Sequence, residues 1–168
     1  MKSLFFCVLL AAIGSSASAK TYSFETSTGM RFLAEETTFD SAKYSIAGCG
    51  RGTDACLING RPATGAIGLP KSVLSRLTLS FQGKEYELDT SGMFDPFLPA
   101  KDADLSSQIQ GFCYDALNCS IRAVFGDAGG SHAVEWRVSN GKAFRTVLSN
   151  SGDLVQYFMK NLMPPKYK

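Results

Sequence analysis

Ile121, Ala123 and Phe125 occupy every second position of one segment, and so do Val134, Trp136 and Val138, and then Phe144, Thr146 and Leu148. A period of two is the mark of a strand with one buried face. Asn140-Gly141 joins the last two runs, and that pair takes the positive φ values of a tight hairpin turn at little cost. Cys113 and Cys119 flank Tyr114 to Asn118, so a bridge between them would clamp another hairpin whose outgoing strand begins near Ser120. The spacing predicts a four-strand antiparallel meander over 109–148.

A further hairpin is expected from Leu77 to Phe81 and Lys84 to Leu88 around Gln82-Gly83, with Leu77, Leu79, Phe81, Tyr86 and Leu88 on its apolar face. Tyr22 to Phe24 and Met30 to Leu33 predict another pair of strands around Thr28-Gly29. Gly48 to Gly68 is rich in glycine and reads as an ordered, irregular loop, as does the proline-containing stretch from Asp89 to Ala103. Leu154, Tyr157, Phe158 and Leu162 fall on one stripe of a helix, with Ser151 as N-cap, Asp153 in the first turn and Pro164-Pro165 as the stop. A short helix is expected at 70–76. There is no internal repeat, heptad or low-complexity run. The fold expected is a single mainly β (α+β) domain of hairpins and a meander: a twisted, half-open antiparallel sheet packed on a C-terminal helix.

The first nineteen residues have the pattern of a secretory leader. Lys2 supplies the positive start, Leu4 to Ile13 an apolar run, and Ala17-Ser18-Ala19 a small-residue cleavage site. The run is well short of the roughly 20 residues that cross a bilayer, so cleavage after Ala19 and no membrane insertion afterwards are expected. Cleavage removes 19 of 168 residues and leaves 149, enough for one domain at 20–168. Cys7 leaves with the leader, and an even set remains: Cys49, Cys56, Cys113 and Cys119. In an exported, periplasmic domain these read as disulfides. Four cysteines allow three connectivities that the sequence alone does not choose between, and the simplest is the two local bridges, Cys49 with Cys56 and Cys113 with Cys119. Zinc would need tighter spacing or several histidines, and the chain has one. No metal or cofactor is expected. Without Lys2 the 17 basic residues become 16 against 15 acidic ones, too balanced to point to nucleic acid or an anionic membrane.

The most unusual segment is Gly126-Asp127-Ala128-Gly129-Gly130-Ser131-His132, between two of the predicted strands. Three uses compete for it. It could be a hairpin loop in which Asp127 and Ser131 bond the backbone. It could hold a nucleophile, Ser131, with His132 as base and Asp127 as orienting acid. Adjacent residues of an extended strand point to opposite faces, however, and no nucleophile elbow is present. Or it could be a finger on a rigid sheet, entering another protein's cleft with little loss of entropy. Other candidates carry less. Asp102 and Asp104 resemble the start of a calcium loop without its remaining ligands. Glu35 and Glu36 are strand neighbours facing opposite sides, a poor acid and base pair. Trp136 reads as core.

Gly83-Lys84, the string from Leu88 to Phe94 (Leu-Asp-Thr-Ser-Gly-Met-Phe) and that from Gly129 to Trp136 (Gly-Gly-Ser-His-Ala-Val-Glu-Trp) resemble, together with the leader, small periplasmic immunity proteins. Bacteria make these against cell-wall-cleaving effectors of type VI secretion. The resemblance covers about a third of the mature chain. It implies a non-enzymatic inhibitor that covers the catalytic groove of an exported peptidoglycan amidase or related cell-wall hydrolase. Asp127, Gly129, Gly130, Ser131 and His132 would form the inserted loop, with Ser131 or His132 meeting the enzyme's Cys-His pair. Two rivals follow from the residues themselves. One is an envelope glycan- or ligand-binding module using Tyr44, Phe94 and Phe97. The other is a small serine hydrolase using Ser131 and His132.

Overall fold

The computed structural model describes residues 19–50, 56–98 and 105–166. The predicted leader, apart from Ala19, and both Asp102 and Asp104 lie outside these residues. Strands β1 (Ala19–Glu25) and β2 (Arg31–Thr38) form the N-terminal hairpin. Three two-residue strands, β3 (Ile46–Ala47), β4 (Leu57–Ile58) and β5 (Arg61–Pro62), make a small sheet within the glycine-rich region. β6 (Ser72–Phe81) and β7 (Lys84–Glu87) form the second hairpin. The meander is β8 (Ile109–Asp115), β9 (Asn118–Phe125), β10 (His132–Ser139) and β11 (Lys142–Ser149), followed by helix α1 (Gly152–Lys160). The fold is mainly β, as expected, and both disulfides join the close pairs, Cys49 to Cys56 and Cys113 to Cys119. Asn140 and Gly141 take φ of 51° and 76°, as the tight turn between β10 and β11 requires.

The two larger sheets have the orders β1-β2-β6-β7 and β11-β10-β9-β8. Phe32, Leu77 and Leu79 of the first meet Ile121, Phe125, Val134 and Trp136 of the second in one buried cluster. The arrangement is therefore two sheets face to face, where a single half-open sheet closed by the helix was expected. The reason is area: a helix of nine residues cannot cover an apolar face four strands wide, whereas a second sheet can. Trp136 Nε1 donates to Asp89 O at 2.9 Å, and Tyr86 Oη donates to Ala116 O, so polar atoms of the core also tie the sheets together. Helix α1 instead packs outside the meander sheet, with Val155 and Phe158 against Ala133. Its buried stripe runs through these two residues, leaving Tyr157 exposed.

Two further expectations fail for the same reason, strand pairing. Residues 72–76 are not helical but begin β6, where Val73 and Leu74 pair with Thr37 and Glu36. Asp95 Oδ1 accepts from the Lys71 and Ser72 amides at 2.9 and 2.8 Å and fixes the start of that strand. In β11, a bulge opposite Glu135/Trp136 shifts the register, so Leu148 pairs with inward-facing Val134 while Phe144 pairs with Arg137. Strict alternation would have put Phe144 and Leu148 on one face. The bulge sends Phe144 to the outside.

Candidate functional site

The segment at 126–132 is a short, tightly bonded turn at one end of β9 and β10. Gly130 N donates to Asp127 O at 2.8 Å and Ser131 N to Ala128 O at 3.2 Å, closing a 3-10 turn. The Asp127 side chain makes no capping bond, so backbone bonding shapes the turn. Gly126 N donates to Pro96 O at 2.9 Å, which ties the turn to the 95–98 segment.

His132 is the first residue of β10 and has the parity of Val134, Trp136 and Val138, so its ring points into the sandwich and is 0% exposed. Its Nδ1 lies 3.2 Å from Gly130 O, and because a carbonyl only accepts, Nδ1 carries the proton. Nε2 is buried and has no hydrogen-bond partner among the described residues. Burial lowers the pKa from 6.5 to about 4 against the opposing Gly130 bond, so the ring is neutral at pH 7. Gly65 lies against it: a Cβ there would be 2.7 Å from His132 Cε1 and would collide with the Phe94 carbonyl. With φ of +96°, this position admits glycine for both reasons.

These contacts correct the reading of His132 as a residue that meets a partner. Its ring is a buried pillar, Gly130 is buried, and Ser131 is half-buried. Only Asp127, Ala128 and Gly129 present an open surface. Ser131 and His132 point apart, as strand geometry demands, and the imidazole is engaged with Gly130 instead of the Ser131 hydroxyl.

What the pillar supports is the neighbouring loop. Phe94 N donates to Thr64 O at 2.9 Å, Gly65 rests on His132, and a Cβ on Gly129 would sit 3.2 Å from Ile67 Cδ1. Three segments, 64–69, 94–98 and 126–131, thus lock together at one end of the sandwich. They leave Ile67 78%, Leu69 49% and Phe97 51% exposed. Large apolar side chains on an anchored loop are candidates for contact with another molecule. Ile67 and Leu69 escaped the sequence reading, although their signal was there: apolar residues among Gly65, Gly68 and Pro70, with no period that would bury them.

The three aromatic residues of the glycan reading do not form a platform. Phe94 is buried, and Tyr44 stacks on Phe39 at 4.8 Å with its edge toward Phe94. Glu35 and Glu36 straddle a bulge and serve different partners, Arg76 at 3.6 Å and the Tyr22 hydroxyl at 3.3 Å. The chain matches no protein-family model, no curated protein and no solved structure.

A second polar constellation lies on the outer face of the meander sheet, beside the C-terminal end of α1. Arg122 Nε donates to Glu135 Oε2 at 2.7 Å, and its Nη1 donates to Asn161 O at 3.1 Å, where it caps the helix end. The same guanidinium lies 4.7 Å from the Phe158 ring centroid. Arg137 Nε reaches Glu135 Oε1 at 3.3 Å, and Thr146 Oγ1 donates to that oxygen at 3.1 Å. Burial pushes the Glu135 carboxyl up, but the Arg122 bond and charge, with Arg137 and Thr146, outweigh it and hold the group below its ordinary 4.5.

Proposed function

We propose that this protein is an exported, non-enzymatic inhibitor, of the immunity-protein kind, that occludes the substrate cleft of a cell-wall hydrolase with the locked loops at 64–69 and 126–131. The observation that carries the reading is the exposure of Ile67 and Leu69 on a loop that Gly65, His132 and Phe94 hold in place. An apolar tip already fixed in shape loses little entropy on binding, which is what a loop inserted into a cleft needs. Its neighbours Asp127, Ala128 and Gly129 supply a shoulder of small residues with one carboxylate. Ser131 and His132 act from beneath, positioning the tip without touching the enzyme. The leader-like start, two disulfides suited to an oxidising compartment, and the resemblance to periplasmic immunity proteins support the choice of partner.

The test is inhibition. The purified protein is added to envelope and secreted fractions of its source and of competing bacteria, and release of soluble fragments from peptidoglycan sacculi is followed. One hydrolase activity is expected to be blocked, with Ile67→Asp/Leu69→Asp at least tenfold weaker and unchanged in Tm. If no activity is blocked, or the double variant inhibits as well as the parent, the proposal fails. Direct retention of the protein on sacculi with no hydrolase inhibited would replace it with a wall-binding role.

A further inference from the structure

On the outer face of the β8–β11 sheet, α1 covers Val124, Ala133, Val147 and Arg122, and Lys166 beyond it lies over the Phe112 ring at 5.2 Å. Toward the opposite end, where the β8–β9 and β10–β11 turns lie, the face carries an open groove of about 480 Å³. Four of its lining residues come one from each strand: Tyr114, Ser120, Arg137 and Phe144. The β8 residue directly opposite Ser120 is Phe112, against whose ring Tyr114 packs edge to face at 4.8 Å. Arg137 stands directly opposite Ser120 on one side and Phe144 on the other. Tyr114 and Phe144 are 54% and 46% exposed.

We infer that this groove is a second binding surface, which takes an acidic peptide segment of a partner protein with its carboxylate on Arg137 and its flanking apolar side chains on Tyr114 and Phe144. The guanidinium is fixed in advance. Nε is held by Glu135 at 3.3 Å and Nη1 donates to Ser120 Oγ at 2.9 Å, while Nη2 has no protein partner among the described residues. Two guanidiniums share the one carboxylate of Glu135, which leaves a positive charge uncompensated beneath the groove. Asp115 at the rim keeps its negative charge, but it makes no ion pair with Arg137 among the described residues, because the Leu117 amide and the Asn118 side chain hold its oxygens to their own turn.

Burying such a cluster is an expensive way to cover a sheet. Arg122 and Glu135 side chains are about as inaccessible as the core, and apolar residues of similar size would generally serve stability as well or better. What the charges add is an arginine aimed into a groove between two rings. Arginine and aromatic side chains are the types enriched where proteins bind one another. Neighbouring strands are roughly 4.8 Å apart, so β8 and β11 are separated by roughly 14 Å. An extended peptide of about four residues spans that distance. The groove and the Ile67 loop lie at opposite ends of strands eight residues long, so an enzyme held at the loop leaves the groove open. This surface does not depend on the inhibitor reading.

The probe is the peptide acetyl-Phe-Ala-Glu-Ala-Phe-amide, titrated into isotope-labelled protein while amide and arginine side-chain NMR signals are followed. Saturable shifts are expected at Ser120, Arg137 and Phe144, with at least tenfold weaker binding when glutamine replaces the peptide's glutamate. Arg137→Gln should cause a similar loss. Phe144→Ser, at an exposed position, should weaken binding several-fold at an unchanged Tm. Absence of saturable shifts up to 5 mM, equal binding of the glutamine peptide, or shifts confined to residues 64–69 would overturn the inference. Saturation by N-acetylmuramic acid and not by the peptide would also overturn it, making the surface one for acidic sugars.

Discussion

Lowering the pH from 7 to 5 in a urea-unfolding series tests the placement of His132. In the folded protein the imidazole stays neutral down to about pH 4, whereas in the unfolded chain it takes a proton near its ordinary 6.5. Between these values the unfolded state binds a proton that the folded state refuses, so stability is complete above 6.5 and falls as the pH drops toward 4. The slope approaches ~1.4 kcal/mol per pH unit. Integrated from pH 7 to pH 5, the loss is about 2 kcal/mol, which lowers the urea midpoint by roughly 1 M. His132 is the only histidine of the chain, and ordinary carboxylates titrate below this window, so the slope reports on one group. His132→Phe keeps a ring beside Phe125 and removes the titration, and its midpoint should not change between the two pH values. Should that variant fail to fold, the imidazole protons of the parent give the same information by NMR, holding their neutral-form shifts at pH 5. An unchanged midpoint in the parent, or an imidazole titrating near 6.5, would refute the pillar role.

Glu135→Gln leaves the Arg122 guanidinium buried with a neutral acceptor and should cost about 3 kcal/mol in chemical denaturation. Because the folded carboxyl lies below its ordinary 4.5, the parent's advantage over this variant should be full above that pH and shrink as the pH falls through the folded value. Replacing Cys113 and Cys119 together by serine opens a short loop across the β8–β9 hairpin, and about 2 kcal/mol should be lost, read as a drop in Tm.

How far the sequence could be read differed with the range of the interaction. Hairpins with partners a few residues apart were legible, because turn chemistry and a period of two act locally, and of the three possible disulfide connectivities the local one that the structure holds was the simplest. The parity that put Val134, Trp136 and Val138 in the core also applied to His132, two residues before Val134, and would have placed its ring inside. Reading glycines as freedom obscured this, when Gly65 and Gly130 are small because another backbone or ring must come close. The contact that reveals it joins residues 65 and 132, and no local pattern announces such a partner. The outer face tells a similar story. Arg122 and Glu135 sit at outward parity, and the turn at 126–131 sets them opposite each other, so their pairing was within reach of register arithmetic. Phe144 was not: the bulge in β11 that turns it beside Arg137 depends on how Thr146 bonds to Glu135, a choice made only once the sheet is assembled. Both surfaces that we assign to partners therefore rest on side chains whose exposure follows from long-range packing, Ile67 through Gly65 and His132, and Phe144 through Glu135.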